Sequence, residues 1–265
     1  MSAARVAISG AAGRMGQRLI ALGSRYAGLQ LVAALEHAES PRLGEDAGAI
    51  AGIGSIGLPL SAELTSEADA LIDFSVPAGA QRAIDLCVDR KIALVMATTG
   101  LTGDHQAKLQ EASQKIAVVW APSMSLAVNL TMKLTEIAAA ALKDYPAGAD
   151  VEILERHHRF KEDSPSGTAL KFGEIVASHM GQTKAAHGRE GRPGERPRDE
   201  IGYHAIRVGD NPGEHTIVFG LMGETIELTV RASNRDCYAN GALQAAQYAA
   251  GKPPGLYTMS DVLGL

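Results

Sequence analysis

Arg5-Val6-Ala7-Ile8-Ser9-Gly10-Ala11-Ala12-Gly13-Arg14-Met15-Gly16-Gln17-Arg18-Leu19-Ile20-Ala21-Leu22 decides the fold. Val6-Ala7-Ile8 is a short apolar run that reads as a buried strand, and Met15 to Leu22 has helical periodicity. Gly10, Gly13 and Gly16 lie between them in a GxxGxxG variant of the dinucleotide fingerprint. One glycine permits the tight turn, one lets backbone N–H groups approach a pyrophosphate, and one lets helix and strand pack closely. The phosphates then meet the positive end of the helix. A glycine-rich turn alone is a weak signal. Its weight comes from following a strand and opening a helix.

The next apolar run, Leu29 to Leu35, is followed by Glu36, about 20 residues past the last glycine, where the fingerprint expects an acid for the ribose hydroxyls. A carboxylate there accepts a 2′-OH and repels a 2′-phosphate, which favours NADH. Arg14 and a protonated His37 are cations able to serve a 2′-phosphate, so NADPH stays open. Two later strand ends share this rim of a parallel sheet. They are Ala97-Thr98-Thr99-Gly100 and Ala121-Pro122-Ser123-Met124, both placed to meet the nicotinamide half.

Outward from this unit, apolar runs alternate with helices: Ala68 to Phe74, Ala78 to Arg90, Ile92 to Ala97, Asp104 to Lys115 and Ile116 to Trp120. This pattern predicts an α/β fold with a doubly wound, Rossmann-type parallel sheet covered on both faces. Gly44 to Gly57 reads as loops. After Pro122 the pattern changes. Leu126 to Leu142 is helical, Asp150 to Glu155 a strand and Gly167 to Met180 a helix. His187 to Arg198 is a polar loop, and three strands follow (Gly202 to Val208, Glu214 to Phe219, Glu224 to Ala232). Turn-linked strands in series predict an α+β second domain with a mixed or antiparallel sheet. The expected boundaries are 1–125 for the dinucleotide-binding domain, 126–235 for a substrate-binding and oligomerisation domain, and 236–265 for a segment returning to the first. Ala239 to Gly251 is the last helix. Ligands are expected in the cleft between the domains.

The 265 residues are 46% hydrophobic and 21% charged, an ordinary globular balance. A net charge of −5 argues against a nucleic-acid partner. No run approaches the roughly 20 apolar residues of a membrane span. Residues 1–4 lead straight into a strand, without the pattern of a signal peptide. Cys87 and Cys237 have no metal or CxxC spacing and read as small buried hydrophobes, so a cytoplasmic location is expected.

The richest segment is Glu155-Arg156-His157-His158-Arg159-Phe160-Lys161-Glu162-Asp163-Ser164-Pro165-Ser166-Gly167-Thr168. Its basic side chains are costly to gather unless solvent or an anion compensates them. Ser166 or Thr168 is placed to cap the following helix, leaving N–H groups for a carboxylate. An anion pocket with proton donors beside it suits a small dicarboxylate. Adjacent histidines in an extended strand point to opposite faces, and no acid or cysteine has zinc spacing, so no metal is expected. If both histidines serve one site, the backbone must leave extended geometry near Arg156. His179, His187, His204 and His215 lack such context and read as surface or structural.

Gly10 to Gly16, Ala97 to Gly100 and the segment from Glu155 to Leu170 resemble the 4-hydroxy-tetrahydrodipicolinate reductase (dihydrodipicolinate reductase) family. The similarity extends to Arg189-Glu190-Gly191, Ile201-Gly202, Gly213-Glu214-His215-Thr216 and Ala239-Asn240-Gly241-Ala242. It implies NADH- or NADPH-dependent reduction of a small cyclic dicarboxylic imine to tetrahydrodipicolinate in diaminopimelate and lysine synthesis, with loss of water. It also implies a homotetramer joined through the second domain's sheet, and closure of the two domains over the substrate. By position, His157 and Lys161 would be proton donors. His158, Gly167 and Thr168 would contact substrate. Gly10, Ala11, Ala12, Gly13, Arg14, Met15, Glu36, His37, Ala97, Thr98, Thr99, Ala121, Pro122, Ser123 and Met124 would line the cofactor. His37 stands where some members have arginine, Ala97 replaces a common glycine, Ser123-Met124 a common Asn-Phe, and Ala127 a common glycine.

Two rivals fit parts of this pattern. Another two-domain reductase of an aldehyde, sugar or different imine would share the glycine turn but would not need His157, Lys161 and the Ser-Gly-Thr turn. A non-catalytic NADH sensor would tolerate loss of the proton donors.

Overall fold

The computed structural model describes residues 3–265. The chain divides into two compact units, one built from residues up to Leu126 together with Arg235–Leu265, the other from Ala127–Asn234.

The first unit carries β1 (Ala4–Ser9), α1 (Arg14–Gly23), β2 (Leu29–Leu35), α2 (Ala47–Ile50), β3 (Leu60–Ser61), β4 (Ala70–Asp73), α3 (Pro77–Arg90), β5 (Ala93–Met96), α4 (Gly103–Ala112) and β6 (Ala117–Trp120). The second carries α5 (Leu126–Leu142), β7 (Asp150–His157), α6 (Gly167–Met180), β8 (Lys184–His187), β9 (Glu200–Arg207), β10 (Glu214–Leu221) and β11 (Glu224–Arg231). The chain then returns to the first unit with α7 (Asp236–Ala249), β12 (Gly255–Tyr257) and α8 (Met259–Leu263).

The first sheet has seven strands in the order β12-β6-β5-β4-β1-β2-β3, all parallel. Its side chains alternate between two apolar layers, as a strand period of two requires. Val6, Ile8 and Val95 pack with Leu19, Ile20, Ala242 and Leu243 of α1 and α7. Ala7, Leu71 and Leu94 pack with Ala80, Ile84, Cys87 and Leu109 of α3 and α4. Both faces are thus covered, which is why the strands read as unbroken apolar runs. Each fully buried Leu or Ile here contributes about 1.5–3 kcal/mol. Pro77 starts α3, where a missing N–H costs nothing, and Lys91 ends it in the left-handed conformation.

The second sheet, β11-β10-β7-β9-β8, is mixed. β10 pairs antiparallel with β11 and β7, whereas β9 runs parallel to β7 and β8. One face packs Val151, Ile153, Tyr203, Ile217 and Phe219 against Val128 and Met132 of α5 and Phe172 and Val176 of α6. The other face presents Leu154, Ile206, Thr216 and Thr229.

The structure corrects several local expectations. β7 runs on through His157 instead of stopping at Glu155, and α7 starts at Asp236 rather than Ala239. The stretch read as loops after Gly44 contains α2, nucleated by Asp46, whose carboxylate accepts hydrogen bonds from Ala49, Ser55, Ile56 and Leu58. His187, expected to open a loop, is the last residue of β8.

The loop beyond it is tied down by Glu152, which accepts from Arg189, Arg196 and His204. Burial alone would raise this carboxyl, but these partners outweigh it and pull it down to about 2. A folded-state value below the usual 4.5 stabilises above that pH, and the gain fades as pH falls toward about 2. Glu152→Gln is therefore expected to cost on the order of 3 kcal/mol near neutrality. Urea-unfolding midpoints of the two proteins should converge in acid, and parallel curves from pH 7 to pH 2 would contradict this.

Candidate active site

In the first unit, Gly10 has φ +74°, and a Cβ there would lie 2.8 Å from the Phe74 carbonyl oxygen. A Cβ on Gly16 would lie 2.1 Å from the Gly10 carbonyl oxygen and 2.6 Å from the Ala11 Cα. These glycines exist because backbone crosses backbone. Gly13 is the N-cap of α1 and supplies no capping side chain, and the first turn holds no acid. The Arg14 and Met15 amides have no acceptor within the helix. The turn therefore fits a pyrophosphate: it offers N–H groups and a positive helix end.

Glu36 stands at the end of β2. Its carboxylate accepts from the Ala12 amide at 3.0 Å and the His37 amide at 3.1 Å, which fixes it beside the turn. Arg14 and His37 are exposed. Ala11 and Ala97 are buried. Thr98 is also buried, and its hydroxyl donates to Asp73 at 2.6 Å, leaving Thr99 as the exposed member of the pair. The other Asp73 oxygen is buried without a partner. Pro122 is exposed, Ala121 and Ser123 are half-buried, and Met124 packs into the core. A Cβ on Gly241 would lie 1.7 Å from the Met124 carbonyl oxygen, so α7 locks this strand end from behind.

In the second unit, the end of β7 and the start of α6 converge. Ser166 caps α6, its hydroxyl accepting from the Ala169 amide at 3.2 Å. The Gly167 and Thr168 amides fall in the first turn, where no intrahelical acceptor exists. The segment between includes a cis Ser164–Pro165 peptide. His157 is 8% exposed and donates from Nδ1 to Glu155 at 2.6 Å. His158, just past the strand end, has a buried Nδ1 with no partner. The strand runs through His157 and the turn comes at Arg159 and Phe160, later than the departure near Arg156 expected from sequence. Lys161 Nζ reaches both oxygens of Asp163, at 2.7 and 2.9 Å.

The basic cluster divides. His157 is buried against Glu155 and His215, with the Lys161 charge near enough to act on it. Arg156 is exposed and pairs with Glu214, and Arg159 lies over the Phe160 ring at the surface. Both follow from β7's alternation and the turn after it.

His215 is the main correction. Expected at the surface or in a structural role, without site context, it is 5% exposed and shares a 3.1 Å hydrogen bond with the Ser166 hydroxyl. Its ring meets His157 edge-on at 5.2 Å between centroids. Antiparallel pairing sets His215 opposite Glu155. Burial chiefly, with His157 beside it, lowers His215 to about 4, so it is neutral at pH 7. His204, given the same expectation, is half-buried and pairs with Glu152.

Sequence reasoning also missed Glu155 and Arg207 as site residues. Glu155 is 2% exposed and holds His157, the Ser166 amide and both terminal nitrogens of Arg207. The available signal was the two-residue spacing of Glu155 and His157, which puts both on one strand face. Burial raises the Glu155 carboxyl, but Arg207 and His157 outweigh it and hold it low. Burial lowers His157 while Glu155 raises it, and burial wins.

A parallel sheet with a glycine turn opening α1, and a second unit holding an acid-anchored histidine beside the Ser166-capped start of α6, are the architecture of a two-unit nicotinamide-dependent reductase. The chain belongs to the dihydrodipicolinate reductase family, whose N-terminal and C-terminal sequence models match residues 4–124 and 127–263. It is 58% identical to a 4-hydroxy-tetrahydrodipicolinate reductase of Rhodopirellula baltica, over 97% of this chain and 95% of that one. A Syntrophotalea carbinolica protein of the same name is 49% identical over 98% of this chain and 99% of its own. Among solved structures, a dipicolinate-bound dihydrodipicolinate reductase from Paenisporosarcina superposes with a TM-score of 0.76 at 26% identity, covering 97% of each chain. An amine dehydrogenase from Mycobacterium smegmatis, at 13% identity and TM-score 0.66, shares the fold.

Proposed function

We propose that the chain reduces 4-hydroxy-tetrahydrodipicolinate to tetrahydrodipicolinate in diaminopimelate and lysine synthesis. The substrate loses its hydroxyl as water and takes up one hydride and one proton. The observation that carries this reading is the buried Glu155, which holds His157 on one oxygen and the Ser166 amide at the start of α6 on the other, where the Gly167 and Thr168 amides begin the helix. NADH or NADPH, when bound at the Gly10 to Met15 turn, supplies the hydride. Gly167 and Thr168 hold one substrate carboxylate, and the unpartnered His158 nitrogen contacts the ring substituents. Protonated His157 or Lys161 stabilises the negative charge that develops on the conjugated imine and delivers the proton. Thr99 and the Ala121 to Met124 backbone line the nicotinamide. Dipicolinate, planar and not reducible by hydride, should compete with substrate. Inhibition that substrate cannot relieve would contradict the assignment.

Glu36, fixed beside the turn, accepts ribose hydroxyls and favours NADH. His37 gives a weaker 2′-phosphate contact than an arginine would. His37→Arg is expected to improve kcat/KM for NADPH by about tenfold, one charge-assisted contact's worth, with NADH little changed. Parallel assays with both cofactors check it, and an unchanged ratio would remove His37 from the site.

Homotetramer assembly through the open face of the second sheet is part of the same reading. It is supported by exposed Leu154 and Ile206 on that face. No helix among the described residues is long and apolar enough to cross a membrane. A cytoplasmic location accords with a biosynthetic role and free cysteines.

A further inference from the structure

We infer that Glu155 is the positioning residue of the site: one buried carboxylate sets the proton position on His157 and anchors the turn that presents the Gly167 and Thr168 amides. The inference rests on the catalytic reading of His157 given above. Glu155 Oε2 accepts from His157 Nδ1 at 2.6 Å and from Arg207 Nη1 at 2.7 Å. Its Oε1 accepts from the Ser166 amide at 3.0 Å and Arg207 Nη2 at 2.7 Å. A carboxylate offers only acceptors, so the His157 Nδ1 must carry the hydrogen. Nε2 is then the nitrogen that takes up and releases the transferred proton.

The plainer role for a buried Glu–Arg pair is to hold β7 to β9. Such pairs are weak sources of stability. Here each oxygen is also shared with a different half of the site, the imidazole on one and the helix-capping turn on the other. Arg207 extends the anchor, its Nη2 donating to the Asp163 carbonyl at 2.7 Å. Among the described residues, the charged or titratable groups around His157 are Glu155 on its own strand, Lys161 and Asp163 in the following turn, Arg207 on β9 and His215 on β10. Lys161 and Arg207 oppose imidazolium formation, and Glu155 favours it.

Glu155→Gln keeps the shape and removes the charge. The expected result is a fall in kcat of about 10²-fold or more, as when an orienting carboxylate is lost from a histidine. The basic limb of the pH–kcat profile should also move down by about one unit, because the imidazolium loses its counter-charge. Glu155→Asp should return the limb toward its original position, and NADH affinity should be unchanged in both variants. A limb that stays in place in Glu155→Gln overturns the inference.

Nitrogen-15 NMR of the unsubstituted protein gives a test free of any folding defect. Neutral His157 protonated on Nδ1 supports the inference, and protonation on Nε2 overturns it. His157→Gln separates the two readings. Near-normal turnover in that variant removes the catalytic role of His157 itself. Slow turnover there, with an unmoved limb in Glu155→Gln, removes the role of Glu155 alone.

Discussion

Lys161→Ala is expected to lower kcat by about 10²–10⁴-fold, the range over which a positioned proton donor contributes. The Lys161 ammonium is held at 2.7 Å by Asp163, in a turn next to the start of α6. An arriving dicarboxylate offers it the same kind of partner that Asp163 does. In the proposed mechanism alanine removes both the charge that offsets the developing anion and a transferable proton. The residue belongs to the second unit, apart in sequence and fold from the Gly10 to Met15 turn. NADH dissociation constants, read by fluorescence titration, should therefore match the unsubstituted protein. The side chain lies in a turn outside the apolar core, so the melting temperature should hold as well. Turnover within about tenfold of normal would remove Lys161 from the mechanism.

Gly16→Ala should act on the other half of the site and on stability together. The added Cβ meets the Gly10 carbonyl at 2.1 Å and the Ala11 carbonyl at 2.6 Å, both backbone atoms that no rotamer change can move away. Either the turn opens or α1 lifts from the sheet. Overpacking of this kind costs about 1–3 kcal/mol. It also displaces the amides proposed to face the pyrophosphate, so NADH affinity is expected to fall by about tenfold or more, each 1.4 kcal/mol being tenfold. Gly103→Ala is the matched control. That glycine also lies in the first turn of a helix, α4, but a Cβ there meets nothing within 4 Å, so stability and binding should hold. Equal behaviour of the two variants in thermal melts and titration would contradict the backbone-crossing account.

Long, strongly patterned elements were legible in the chain. α5 and α6 have the bounds their periodicity predicts, and the parallel strands announced themselves as apolar runs because both their faces are covered. The elements missed are short. α2, β3, β8, β12 and α8 have five residues or fewer, too few for a period of 2 or 3.6 to register. β8 and β12 are edge strands, the first largely exposed and the second half-buried, and their place depends on pairing with β9 and β6.

The site followed the same division. The sequential motifs around Gly10 and His157 could be read along the chain. His215 and Arg207 could not, because strand register alone brings them beside Glu155 and His157, from 60 and 52 residues away by the numbering. Glu155 was quoted within the catalytic segment, yet its role depends on partners from two other elements, Ser166 at the start of α6 and Arg207 on β9. The cation count also misled in part, since the alternation of β7 sends Arg156 to the opposite face from His157.

The central claim is the reduction itself, and the direct measurement is cofactor oxidation in the presence of freshly formed substrate. 4-Hydroxy-tetrahydrodipicolinate would be generated in the cuvette by enzymatic condensation of pyruvate with aspartate semialdehyde, and NADH and NADPH absorbance followed after addition of the protein. The account predicts oxidation that depends on the condensing enzyme and on both precursors, with NADH the better donor, and that dipicolinate inhibits. Absence of oxidation with either cofactor, under conditions where a known family member turns over, would contradict it.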